Sequence, residues 1–219
     1  MIRWVHLDTA TVPDDGGELR LMQRGTEFSI MAGGIELMNS RLSGSEEALA
    51  ELSIARLAGR PAPRMLIGGL GMGFTLRAAL AGLPADAAVT VAELVPEVAA
   101  WARGPMAEVF IGCLDDPRVS LHIGDVAEPI AAGGWDAILL DVDNGPEGLT
   151  RKANDRLYDA GGLAAARRAL RPGGVLAVWS SAPSRAFTQR LRQAGFAVEE
   201  VTARARRGKG ARHTVWLAT

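Results

Sequence analysis

The stretch Met65-Leu66-Ile67-Gly68-Gly69-Leu70-Gly71-Met72-Gly73-Phe74-Thr75 decides the fold. A short apolar run enters a cluster of glycines and leaves into a helix-like segment. Glycines allow a tight turn and let a ligand approach the main chain with no Cβ in the way. The spacing is G-x-G-x-G, at Gly69, Gly71 and Gly73. A dinucleotide fingerprint, G-x-G-x-x-G, would place glycine at position 74, where this chain has Phe74. The loop therefore favours an adenosyl nucleoside over a nicotinamide dinucleotide. Its alternative use is a tight strand-to-helix turn with no ligand.

Downstream of this loop the same pattern repeats. Apolar runs occur at Met65–Ile67, Val89–Ala92, Val119–Ile123, Ala137–Leu140 and Val175–Trp179, and helical stretches separate most of them. Continuous apolar strands alternating with helices imply a parallel sheet covered on both faces. Two further strand-like runs, Phe196–Thr202 and His213–Leu217, are joined by the segment from Ala203 to Arg212. That link is too short for a crossover helix, so the last two strands should be antiparallel. The expected fold is α/β: a doubly wound, mostly parallel, Rossmann-like sheet of methyltransferase type that ends in an antiparallel hairpin.

Upstream, Glu27–Ala32 and Ile35–Asn39 read as a short β-hairpin turning at Gly33-Gly34. Ser43 and Glu46 have the spacing of a capping box at the start of a helix that Pro61 and Pro63 close. The chain is thus expected to divide into a hairpin appendage, residues 1–42, and an α/β nucleoside-binding domain, residues 43–219.

Composition narrows the function. The 219 residues are 48% hydrophobic and 22% charged, with a formal net charge of −1. No global field draws such a chain to nucleic acid or to an acidic membrane. The single cysteine, Cys113, excludes an internal disulfide and a cysteine-based zinc site. No apolar run nears the roughly 18–20 residues needed to span a bilayer. The N-terminus lacks the apolar core of a signal peptide. A cytoplasmic protein is expected, without membrane or metal partners.

Three carboxylates extend the reading of the loop. Glu93 ends the second parallel strand, Asp125 ends the third and Asp141 the fourth. Ligands of open α/β sheets bind outside the carboxyl ends of the strands. There Glu93 can accept hydrogen bonds from both ribose hydroxyls, and Asp125 from an adenine amino group. One acid at a strand end is usually a helix cap; one after each of three consecutive strands is more specific.

These residues carry a family resemblance. From about Gly34 to Val178 the chain resembles the spermidine synthase family of aminopropyltransferases. The most specific piece is Leu121-His122-Ile123-Gly124-Asp125, and Gly34, Arg41 and Ser45 match the family's hairpin-to-helix segment. The resemblance implies polyamine biosynthesis, with Gly69, Gly71, Gly73, Glu93, Asp125 and Asp141 holding the adenosyl part of a sulfonium donor. It also implies departures. The family's loop aspartate, which holds the amino group of decarboxylated S-adenosylmethionine, is here Gly71. Its glutamine after the hairpin is Leu37, and its polyamine-facing tyrosine and glutamate correspond to Glu46 and Ala48. Its catalytic aspartate falls at Asn144, with Asp143 one residue early, beside an apparent insertion within residues 144–151. The adenosine half of the site looks kept and the acceptor half rewritten.

Amine attack on a sulfonium carbon needs a carboxylate, because an aliphatic ammonium near pKa 10 must first lose a proton. Asp143 and Asp141 are the expected catalytic residues, with Glu147, Glu46 and Glu47 as partners for further ammonium groups. The donor is expected to be S-adenosylmethionine or its decarboxylated form. The acceptor is a small-molecule amine, and a homodimer is left open. The alternatives are an S-adenosylmethionine-dependent methyltransferase and an inactive nucleoside-binding relic. His6, His122 and His213 read as packing or surface residues, with His122 in a buried strand. Tyr158 and Trp101 read as core. The basic residues Arg204, Arg206, Arg207, Lys209 and Arg212 read as a solvated hairpin loop, with nucleic acid not expected as a partner.

Overall fold

Every residue of Trp135–Leu140 is buried, which requires a strand with neighbours on both edges and cover on both faces. In the computed structural model, which describes residues 2–13, 17–57, 59–142, 145–146, 154–206 and 209–219, this strand lies near the centre of a seven-stranded sheet. The N-terminal strands are β1 (Val5–Thr11), β2 (Glu18–Arg24), β3 (Glu27–Ala32) and β4 (Ile35–Asn39). The large sheet contains β5 (Arg64–Gly68), β6 (Ala88–Glu93), β7 (Val119–Ile123), β8 (Trp135–Leu140), β9 (Leu170–Ser180), β10 (Val198–Arg206) and β11 (Lys209–Ala218). Its order is β10-β11-β9-β8-β5-β6-β7. Pairs β5/β6, β6/β7, β5/β8 and β8/β9 are parallel, whereas β11 runs antiparallel to both β9 and β10. The expected methyltransferase-type sheet and terminal hairpin are therefore present.

The helices are α1 (Gly44–Arg56), α2 (Phe74–Gly82), α3 (Pro96–Arg103), α4 (Ala107–Phe110), α5 (Ala127–Ala132), α6 (Asp155–Tyr158), α7 (Ala160–Ala169) and α8 (Arg185–Gln193). Successive strand residues point to opposite faces, which divides the core in two. Met65, Ile67, Val89, Val91, Ala137 and Leu139 face α1 to α4 together with Leu21 and Ile30 of the N-terminal sheet. Leu66, Ile138, Leu140, Leu176, Val178 and Trp216 face α5 to α8 through Ile130, Leu163, Phe187 and Leu191. Tyr158 and Trp101 are core, as expected, at 1% and 2% exposure.

The chain winds from β5 outward to β7, then returns to β8 on the other side of β5. That reversal opens a crevice at the carboxyl ends of β5 and β8. The opposite end of β8 is anchored by Asp136, which accepts from the Arg64 N–H and pairs with Arg60 and Arg171. Burial raises its carboxyl, but these donors outweigh burial and hold it below the usual range.

Four expectations are corrected. The N-terminal element is a four-stranded antiparallel sheet in order β1-β2-β3-β4, of which the expected hairpin is only the second half. The capping box does not form: Ser43 makes no side-chain cap bond, and the Glu46 carboxylate accepts from Ser45 instead of the helix start. His122 is not in a buried strand, because β7 is the sheet edge. Its ring lies 3.1 Å from the Glu128 carboxylate and is about one third exposed. The basic segment is mostly strand, with Ala203 and Ala205 buried and Arg204 and Arg206 exposed on β10.

Candidate functional site

A cavity of about 510 Å³ sits on the carboxyl ends of β5, β6 and β7 and beside Asp141. Gly69, Gly71, Glu93, Gly124, Asp125 and Asp141 all line it. The N-terminal sheet supplies the facing wall through Leu19, Ala32, Ile35, Leu37 and Met38. A more open hollow of about 1000 Å³ lies between α1, α2 and residues 110–116; Glu47, expected to face a further ammonium group, lines this hollow and not the cavity, and none of the expected donor-binding residues does.

The glycine loop is shaped by close approach. At Gly69, with φ +92°, a Cβ would stand 2.3 Å from the Asp141 carbonyl oxygen, so the two strand ends can meet only if this residue is glycine. Gly71, at φ +52°, also takes a left-handed conformation, but its open face meets only Met38 Sδ at 3.3 Å. Gly73 differs from both. It does not line the cavity, and a Cβ there would lie 2.5 Å from the Phe110 ring. Its glycine serves packing at the start of α2.

Glu93 is 8% exposed. Its two carboxylate oxygens accept from the Leu70 N–H at 3.0 Å and the Val95 N–H at 2.9 Å. Burial raises its pKa, and these backbone donors partly offset that. Each carboxylate oxygen has two lone pairs, so Glu93 can hold the loop and still accept from a ribose. Asp125 is committed more heavily. One oxygen accepts from the Ala127 N–H at 2.8 Å, opening α5, and the other pairs with Arg156. An adenine amino group would share that oxygen with Arg156.

Asp141 is the most perturbed group of the site. Burial, followed by the nearby Glu46 charge, pushes its carboxyl up to about 7, while a hydrogen bond from Thr75 works against the shift. Thr75 Oγ1 donates to Asp141 Oδ2 at 2.7 Å. Glu46 is raised as well, first by burial. Burial works against ionising either carboxyl, and the Glu46 charge works further against ionising Asp141. Glu46 and Thr75 were missed as partners of Asp141. Thr75 follows the glycine loop directly, and that adjacency was the available signal. Glu46 was expected both as a cap and as a partner for an ammonium group, but not beside Asp141.

Asp143, Asn144 and Glu147 lie outside the described residues. Among the described residues no cluster of three or more His, Cys, Asp or Glu is arranged to hold a metal ion, and no helix is long and apolar enough to cross a membrane. Burial pushes the Cys113 thiol up to about 11, away from a nucleophile's range.

No family model matches the chain. A polyamine aminopropyltransferase of Mycobacterium tuberculosis is 32% identical over 117 residues, which are 48% of this chain and 22% of that protein. A spermidine synthase of Coffea arabica is 29% identical over 152 residues, 67% of this chain and 45% of that protein. The chain therefore spans less than half the length of these relatives. A crystal structure of a spermidine synthase in complex with the transition-state analogue AdoDATO superposes with a TM-score of 0.75 at 18% identity, covering 97% of this chain and 71% of that one.

Proposed function

We propose that this chain, assigned by sequence and fold comparison to the spermidine synthase family, transfers an alkyl group of aminopropyl type from an adenosyl sulfonium donor to a small amine. The observation that carries the reading is the cavity in which a glycine loop, Glu93 and Asp125 stand on one side and Asp141, its carboxyl pushed up by burial, on another. Glu93 binds the ribose, Asp125 the adenine edge, and the backbone of Gly69 and Gly71 lets the donor lie against the loop. Asp141 and Asp143 orient the acceptor and take its proton. Residues 43–219 are the donor-binding unit, and β2, β3 and β4 roof the cavity through Leu19, Ala32, Leu37 and Met38.

The chemistry follows from charge. An acceptor ammonium gives one proton to a carboxylate. The freed lone pair attacks the carbon next to sulfur, and the carbon–sulfur electron pair leaves with sulfur as a neutral thioether. A buried carboxyl with a pKa near 7 has the proton affinity that this step needs at neutral pH.

One observation supports a second reading. At Gly71 no carboxylate confronts the donor's amino-acid tail, and the open face of this residue meets a thioether sulfur. A donor that keeps its carboxylate meets no repulsion from that position, which suits a methyltransferase using S-adenosylmethionine. The test is a transfer assay read by mass spectrometry, offering each donor with a panel of mono-, di- and polyamines. An aminopropylated amine supports the first reading and a methylated amine the second. Neither product, with methylthioadenosine still bound, would leave a binding protein without transfer activity.

A further inference from the structure

Behind the acid pair runs a hydrogen-bonded chain that the transfer reaction as described does not use. The Ser45 hydroxyl donates to Glu46 Oε2 at 2.5 Å. His213 Nδ1 lies 2.7 Å from the same hydroxyl oxygen. Ser45 is fully buried, whereas the His213 ring is only partly so. Two elements far apart in sequence create this contact, the first turn of α1 and the middle of β11. The Trp179 ring, 4.9 Å away and edge-on, packs against the imidazole. Capping does not account for Ser45, because the N-cap of α1 is Ser43.

We propose that Ser45 and His213 are a proton outlet for the buried carboxyl pair, passing the acceptor's proton from Glu46 through the Ser45 hydroxyl to the imidazole and on to solvent. The proposal rests on the reading of transfer to an amine, and it holds for aminopropyl or methyl donors alike. In both cases a primary ammonium and a sulfonium become a secondary ammonium, a neutral thioether and one free proton. That proton must leave a cavity whose carboxyls already resist carrying two charges.

A serine hydroxyl has one proton and two lone pairs. When Glu46 is ionised, the hydroxyl donates to it and His213 Nδ1–H donates to the hydroxyl oxygen. When Glu46 takes over the acceptor's proton from Asp141, the neutral ring exchanges its Nδ1 proton for one on Nε2 through water, which frees the Nδ1 lone pair, and the directions reverse. Glu46 donates to the hydroxyl, the hydroxyl proton moves to Nδ1, and Nε2–H releases a proton to water. The chain then rests again as Nδ1–H, hydroxyl and carboxylate. Burial lowers the His213 pKa, so the ring is neutral between transfers and does not hold the proton.

The test uses His213→Gln, which keeps a hydrogen-bonding side chain but cannot carry a proton, Ser45→Ala, and His213→Ala with added imidazole. Donor affinity is followed by calorimetry and turnover in weakly buffered solution. We expect near-normal donor affinity, kcat at least 10-fold lower in all three variants, and recovery of His213→Ala with imidazole. The ring nitrogens, read by ¹⁵N NMR without substrate, should change tautomer in Glu46→Gln because the hydroxyl no longer faces a carboxylate. Wild-type turnover that His213→Gln and Ser45→Ala leave within two-fold would overturn the outlet and keep the transfer reading. A wild type that binds donor and transfers to no amine would overturn the transfer reading, and the outlet with it.

Discussion

Replacing Asp141 by asparagine should make the protein more stable in alkaline solution and leave it nearly unchanged in acid. In water this carboxyl titrates at 3.8, and in the fold at about 7. Ionising it inside the protein therefore costs about 4 kcal/mol more than ionising it in the unfolded chain. Because the folded value is the raised one, its stabilising protonated form is fully present below pH 3.8, is lost as pH climbs toward 7, and the loss levels off above that. Asparagine carries no charge to bury, and its carbonyl can still accept from Thr75. That bond becomes neutral and weaker by about 1 kcal/mol. The net gain of Asp141→Asn should be about 2–3 kcal/mol at pH 8.5, shrinking to zero or slightly below at pH 4. Urea unfolding of both proteins across that range measures the difference directly. Carboxyls held below their usual range, such as Asp136 and Asp116, act at acid pH in both proteins and cancel in the comparison. Parallel curves, or an asparagine variant less stable than wild type at pH 8.5, would refute the buried-acid account.

Gly73→Ala forces both a left-handed backbone and a 2.5 Å overlap with Phe110, so chemical denaturation should show a loss of about 2–5 kcal/mol. Gly71→Ala, whose Cβ meets only Met38 Sδ at 3.3 Å, should lose no more than about 2 kcal/mol in the same experiment. Gly71→Asp should move donor preference in competition calorimetry toward decarboxylated S-adenosylmethionine; aspartate tolerates the left-handed region better than most side chains, and an unchanged preference would separate this position from the donor's tail. Asp143→Asn should lower kcat at least about 100-fold, the scale of a lost general base, with nucleoside affinity in calorimetry nearly intact; activity within a few-fold of wild type would place the base elsewhere.

The parts of the fold legible in the sequence were those buried on both sides. β5 and β8 are continuous apolar runs because neighbours and helices enclose them, and the glycine loop announces itself because Gly69 has no room for a Cβ. β1 left no such trace, since Ala10 is its only buried residue and its sequence carries no inward face. β2 alternates Leu19 and Leu21 inward against Glu18 and Arg20, a pattern obscured by its exposed neighbour. An edge strand and a central strand can share one apolar run, which is why His122 was taken for a buried residue. In the site, strand-end position found Glu93, Asp125 and Asp141, but it could not show how heavily each is already bonded. Glu46 was expected to face an ammonium group, but its spacing also suggested a cap, and its place beside Asp141 was not foreseen. Ser43 and Glu46 satisfy the capping-box pattern, and only the packing of α1 over the sheet draws the carboxyl inward beside Asp141. Contact between Ser45 and His213 depends on the β9–β11 pairing and has no sequence signature.

The central claim is that an adenosyl thioether or sulfonium sits in the cavity between the glycine loop, Glu93 and Asp125. Calorimetric titration with methylthioadenosine tests it most directly, on the wild type and on Glu93→Gln, which keeps an acceptor for the loop but removes the charge. The account predicts saturable one-site binding to the wild type and affinity weakened by about 1.5–3 kcal/mol in the variant, the size of hydrogen bonds to a charged group. No binding heat for the folded wild type, or equal affinity for both proteins, would contradict it.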